Sequence, residues 1–148
     1  MKNIFTIMAG LFRKKKTLLV IGDSHASIFN NKQLKKSLSH LNLSVCWVGG
    51  ATVSGLESPN SKTQALPLFT EAYEKCTPDY VIVLIGEVDT GFVMWWRAEK
   101  YDKPIEDMLE KSVENYSKLL QQFKGRDKTI AISTPLPTIN DLVYQHSV

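Results

Sequence analysis

The chain has 148 residues, 43% of them hydrophobic and 22% charged, with 8 glycines and 6 prolines. These proportions exclude a fibrous or disordered protein, and at this length folding buries roughly 70% of the surface that the unfolded chain exposes, enough for a core without metal or disulfide staples. A formal charge of +3, with the basic excess gathered in Arg13 to Lys16, is too small for a nucleic-acid footprint.

Residues 4–12 are apolar but far short of the roughly 20 needed to span a bilayer. The strong run of charges, Arg13 to Lys16, follows the apolar stretch instead of preceding it, which is the wrong order for a secretory signal. Residues 1–16 are therefore expected to be a cytoplasmic lead-in arm. The alternative is a membrane-surface contact in which Lys14, Lys15 and Lys16 flank the apolar residues. Residues 17–21 form an unbroken apolar run that ends in Gly22-Asp23-Ser24, the pattern of a strand covered on both faces. From about Ala26 the period becomes helical, with Leu34, Leu38 and Leu41 on one side and Lys32, Lys35 and Lys36 on the other. Residues 43–48 read as a second strand, and residues 49–61 as a loop rich in Gly and Ser.

Leu66, Phe69, Tyr73 and Cys76 share a helical face, which requires Pro67 to lie in the first turn. Cys46 and Cys76 stand in apolar surroundings with no further ligand at metal spacing, so they read as two buried thiols. Residues 80–85 predict a central strand, and Gly86-Glu87-Val88-Asp89 with a long loop follows. Pro104, Glu106 and Asp107 open a helix whose apolar stripe is Leu109, Val113, Tyr116, Leu120 and Phe123, with Gly125 as its stop. Residues 129–133 predict a fourth strand, after which Pro135 and Pro137 turn the chain.

Strands and helices in strict alternation predict an α/β domain over residues 17–148: three α/β/α layers around a doubly wound, flavodoxin-like parallel sheet. Sites in such sheets lie beyond the carboxyl ends of the strands. The unusual residues of this sequence fall there. A serine between a buried strand and a helix presents its hydroxyl at the rim, where the helix N-terminus favours negative charge. The same position also suits a simple helix cap by Asp23 or Ser24.

Gly22-Asp23-Ser24-His25 resembles the first block of the SGNH hydrolases, or GDSL-type esterases, with His where Leu is usual. Ala51-Thr52-Val53-Ser54-Gly55 is similar to the second block, Gly86-Glu87-Val88-Asp89 to the third block, Gly-x-Asn-Asp, and Thr134-Pro135-Leu136-Pro137 to the proline turn after the fourth strand. The resemblance spans about residues 17–140. It implies an SGNH hydrolase fold and a serine esterase without a cofactor or metal. Ser24 would be the nucleophile and the N–H groups of Ser24 and Gly55 the oxyanion donors.

The sequence departs from that pattern in two ways. Val88 replaces the asparagine of the oxyanion hole, a donor whose loss costs about 10²–10³ in rate. The Asp-x-x-His block that would carry the general base is absent. His25 is adjacent to Ser24 and is expected in the pocket wall or against substrate. His40 is expected at the surface, and His146, with Asp141 five residues before it, is the remaining candidate base. The chain is accordingly expected to be a C-terminally truncated form of a longer domain, without its last strand and helix.

Asp23, His25, Glu87, Asp89, Trp95 and Arg97 are the candidate substrate contacts, with Glu87 and Asp89 reaching substrate hydroxyls or Arg97. Adjacent Trp95 and Trp96 suit either a stacking platform for a sugar or a cover for the core. The expected partner is a small-molecule or glycan ester, such as an O-acyl group on a carbohydrate, with neither nucleic acid nor membrane as a partner. Two other readings stay open: a catalytically silent binding or structural domain on the same fold, and an anion-binding turn at Gly22-Asp23-Ser24.

Overall fold

The computed structural model describes residues 14–123 and 128–134. The candidate base His146, with Asp141, and the turn from Pro135 onward lie outside these residues, as do Gly125 and the first 13 residues of the lead-in arm.

Four strands form one parallel sheet: β1 (Thr17–Gly22), β2 (Asn42–Trp47), β3 (Tyr80–Leu84) and β4 (Lys128–Ala131), in the order β2-β1-β3-β4. In this order the switch point, where successive strands are added on opposite sides, lies between β1 and β3. β1 pairs on both sides, Val20 lying opposite Val45 and Ile82. Its apolar run is unbroken because both faces are covered. Leu19 and Ile21, with Val81 and Val83, pack beneath α2 (Ala65–Cys76) and α4 (Ile105–Gln122) through Phe69, Leu119 and Phe123. Leu18 and Val20 face the other way, onto Ala26, Phe29 and Leu38. A parallel α/β architecture with helices on both sheet faces is thus present. No helix among the described residues is long and apolar enough to cross a membrane.

Three expectations about local structure change. The single helix from Ala26 is split into a 3-10 helix, Ser24–Asn30, and a short α1, Lys32–Ser37. Asn31 divides them: its backbone is extended, at ψ 135°, and its side chain accepts the N–H groups of Gln33 and Leu34 as the cap of α1. The long loop after β3 is instead a π-helical turn, Asp89–Val93, running directly into α3, Met94–Tyr101. Met94 is buried, and Arg97 and Ala98 are half-buried beside it at helical spacing, so a short amphipathic stripe was present.

In α4 the buried face is rotated from the apolar stripe. Ser112, Asn115 and Leu119 are buried, whereas Leu109 and Val113 stay 49% and 57% exposed. Other elements fall as expected. Pro67 is the third residue of α2, where its missing N–H costs nothing. Cys46 and Cys76 are free thiols as expected, but half-buried instead of buried, and burial raises the Cys46 pKa.

The N-terminal end of the sheet is stitched by Asp79. Its N–H donates to the Thr17 carbonyl, its carboxylate accepts the Thr17 N–H at 2.8 Å and pairs with Lys16, and its carbonyl accepts the Lys128 N–H. The hydrogen bond from Lys16, then that from Thr17, holds the Asp79 carboxyl below its ordinary pKa. A depressed folded-state pKa stabilises the fold above the unfolded value of about 4 and ceases to do so as pH falls through the lower folded value. Urea unfolding measured from pH 7 downward should therefore show a loss of stability below pH ~4 that is smaller in Asp79→Asn than in the parent chain.

Candidate functional site

β1 and β3 are in close contact at Gly22. A Cβ on Gly22 would lie 1.9 Å from the Leu84 carbonyl oxygen, so no other residue fits there. The Asp23 N–H donates to that same oxygen, at 3.1 Å. The chain then turns out of the sheet into the 3-10 helix, with Asp23 as its cap. Asp23 is buried. One carboxylate oxygen accepts the His25 N–H at 2.9 Å, and the other accepts the Gly86 N–H at 3.3 Å. Gly86 takes φ +124°, a conformation that side chains rarely allow, and a Cβ there would stand 3.1 Å from Thr134 Oγ1. The loop after β3 therefore touches both the loop after β1 and the residues after β4.

The loop after β2 is brought in by a second buried carboxylate. Asp89 accepts the Val53 N–H at 2.6 Å and the Ser54 N–H at 3.0 Å, the opening donors of a 3-10 turn, Val53–Gly55. Thr52 precedes that turn without a side-chain cap, so Asp89 supplies the cap from a different element. Asn115 donates to the Val53 carbonyl at 3.3 Å, and Arg97 reaches the Ser54 carbonyl at 3.5 Å. These contacts explain the rotated face of α4, since the buried Asn115 takes up a backbone oxygen of the loop. Polar residues interrupting the stripe at Ser112 and Asn115 were the available sign of it.

The sequence-derived candidates separate into groups. Ser24 is exposed as the first residue of the 3-10 helix, at the rim. His25 lies beside it, its Nδ1 3.0 Å from Asp23 Oδ1 and 3.0 Å from Glu87 Oε2. Glu87 thus meets His25, and Arg97 binds a carbonyl, in place of the expected Glu87 or Asp89 contact with Arg97. The oxygens of Asp23 and Asp89 are engaged by backbone donors, and Asp23 Oδ1 also meets His25, so both residues shape the site from within. Gly55 closes the second turn, but its N–H donates to the Thr52 carbonyl at 3.1 Å. His40 is exposed beyond α1, close to Asn42, whose N–H bonds Lys16 at the entry to β1, so it belongs to the opposite end of the sheet.

Trp95 and Trp96 do not cover the core: they are 60% and 43% exposed. Trp95 Nε1 donates to the Thr90 carbonyl at 2.8 Å, which fixes its ring, and Phe92 stands exposed one turn earlier. The Lys100 ammonium lies 4.4 Å from the centre of the Trp96 ring. Among the described residues, a cavity of about 360 Å³ adjoins Gly86, between the end of β3, α4 and the residues after β4. Val53, Met94, Leu109, Val113, Tyr116 and Ile132 are among its apolar lining residues. Ser112 Oγ, on the same lining, has no hydrogen-bond partner among the described residues. No group of three or more metal-ligating side chains is arranged to hold an ion among the described residues.

No protein-family model matches the chain, and neither a curated protein nor a solved structure matches it.

The Asp89 contacts predict a direct test of how the loops are held. Asp89→Ala orphans the Val53 and Ser54 donors at a cost of about 1–3 kcal/mol each. Asp89→Asn, with its one acceptor oxygen, should fall between it and the parent chain in urea-unfolding measurements.

Proposed function

We propose that this chain is a serine hydrolase of the SGNH type that acts on an ester. The observation that carries the reading is the position of Ser24: exposed, directly after the central strand, at the N-terminus of a helix, where the loops after the neighbouring strands converge. Attack by Ser24 Oγ on an ester carbonyl would form an acyl-enzyme and release the alcohol, and water would then release the acid. The Ser24 N–H is the nearest oxyanion donor. Gly55 joins it only if its turn gives up the bond to Thr52. The apolar cavity beside Gly86 suits the acyl part of the substrate, and the exposed Phe92–Trp95 edge of α3 suits a sugar ring as the alcohol part.

A second reading has its own support. The occupied Gly55 N–H, and Val88 in the place of a donor, both weaken the oxyanion site, which fits a catalytically silent binding domain.

A fluorophosphonate probe and p-nitrophenyl acetate separate the two. The hydrolase reading expects labelling of the parent chain at Ser24 together with turnover, and loss of both in Ser24→Ala. A parent chain that is neither labelled nor active supports the silent domain. For the sugar platform, Trp95→Ala should weaken binding of an acetylated oligosaccharide by roughly fivefold, equivalent to about 1 kcal/mol. Unchanged binding removes the platform.

A further inference from the structure

We propose that His25 is the acid/base residue of this site, with its Nδ1 proton held between Asp23 and Glu87 and its Nε2 exchanging protons with Ser24 and the substrate. The inference rests on the reading of Ser24 as nucleophile and supplies the base which that reading lacks.

The arrangement of the ring carries it. A single imidazole nitrogen, Nδ1, lies 3.0 Å from one oxygen of each of two carboxylates, which come from different loops. Carboxylates are acceptors, so Nδ1 is the nitrogen that bears hydrogen, and the neutral ring keeps its lone pair on Nε2. That tautomer is the one an imidazole needs as a base in acyl transfer, where a carboxylate behind the ring orients it and stabilises the cation that forms. Asp23 is well fixed for this part, being buried and tied to the His25 and Gly86 N–H groups. Nε2 lies across the ring from the two carboxylates, and the side chain is about half exposed, so water and substrate can reach it.

Adjacency to Ser24 limits the geometry but does not remove the role. Successive side chains of a 3-10 helix diverge by about 120°, so Ser24 Oγ and Nε2 do not face each other directly. The proposed proton path therefore runs through one bridging water. As Oγ bonds to the ester carbonyl carbon, its proton passes through that water to Nε2. The imidazolium then protonates the leaving alkoxide as the carbon–oxygen bond breaks, giving acyl-Ser24 and the free alcohol. In the second half Nε2 takes a proton from the attacking water and returns it to Oγ as the acid leaves. Glu87, acting through His25, is a positioning residue.

The experiment uses the full chain with a fluorophosphonate and p-nitrophenyl acetate. Labelling of the parent chain at Ser24 tests the nucleophile first; if it fails, the hydrolase reading and this inference fall together. Given labelling, His25→Ala should slow labelling and kcat by about 10²–10⁴, with KM little changed and with partial recovery on adding free imidazole. Glu87→Gln keeps an acceptor for Nδ1 but no charge for the imidazolium, and should lower kcat while leaving KM and thermal unfolding as in the parent. His25→Ala labelled at the parental rate overturns the inference and leaves Ser24 in place. So does a folded His25→Ala that imidazole does not rescue. If His25→Ala fails to fold, the Glu87→Gln rate decides, and a parental kcat overturns the inference.

Discussion

The site depends on carboxylates that cap helical turns from inside the protein. Asp89 is the clearer case, because the turn that it caps belongs to another loop. A turn of three residues has almost no hydrogen bonding of its own, and its first N–H groups need acceptors wherever water is excluded. Placing the acceptor on the segment after β3 makes the loop after β2 a dependent of β3. Asp23 does the same at shorter range, joining its own helix to Gly86. Through these two residues the sheet fixes the relative positions of Ser24, His25, Glu87 and Val53.

This explains why the rim can be polar without being loosely ordered. Backbone donors aimed at a buried carboxylate form charge-assisted bonds, which add to the apolar packing of Ala51, Val53, Leu56 and Ile85 in the core. The apolar clusters thus hold the strands and the feet of the loops, while the polar contacts fix how the loops meet one another. Glu87 differs from the two aspartates in being partly exposed and in meeting a side chain instead of the backbone, which leaves it able to respond to what occupies the rim.

Much of the fold was legible in the sequence, for identifiable reasons. β1 and β3 showed as unbroken apolar runs because both of their faces are covered, and α2 showed through Leu66, Phe69 and Tyr73. The split at Asn31 was missed because the apolar spacing of Leu34 and Leu38 begins only after it and carries no sign of where the helix starts, whereas the Asn31 side chain caps a new one there. α3 was missed because two tryptophans and a tyrosine, all exposed, obscured the stripe of Met94, Arg97 and Ala98. In the site, Ser24 and His25 could be placed from their position after a strand. The pairing of His25 with Glu87, and the grip of Asp89 on Val53 and Ser54, join residues far apart in the chain, and a single sequence carries no signal of such contacts.

The π-helical turn at Asp89–Val93 has a consequence for how this surface can vary. Such a turn is an α-helical turn with one residue too many. Its first residue is the buried Asp89 and its end leads straight into α3, so the surplus residue is taken up between the capped loop and the aromatic edge. The wide turn absorbs that residue locally, and losing it would restore ordinary helical geometry while α3 kept its facing. Length changes confined to this segment would therefore fall on the residues inside the turn, Phe92 among them, and leave the direction in which Trp95 faces as it is.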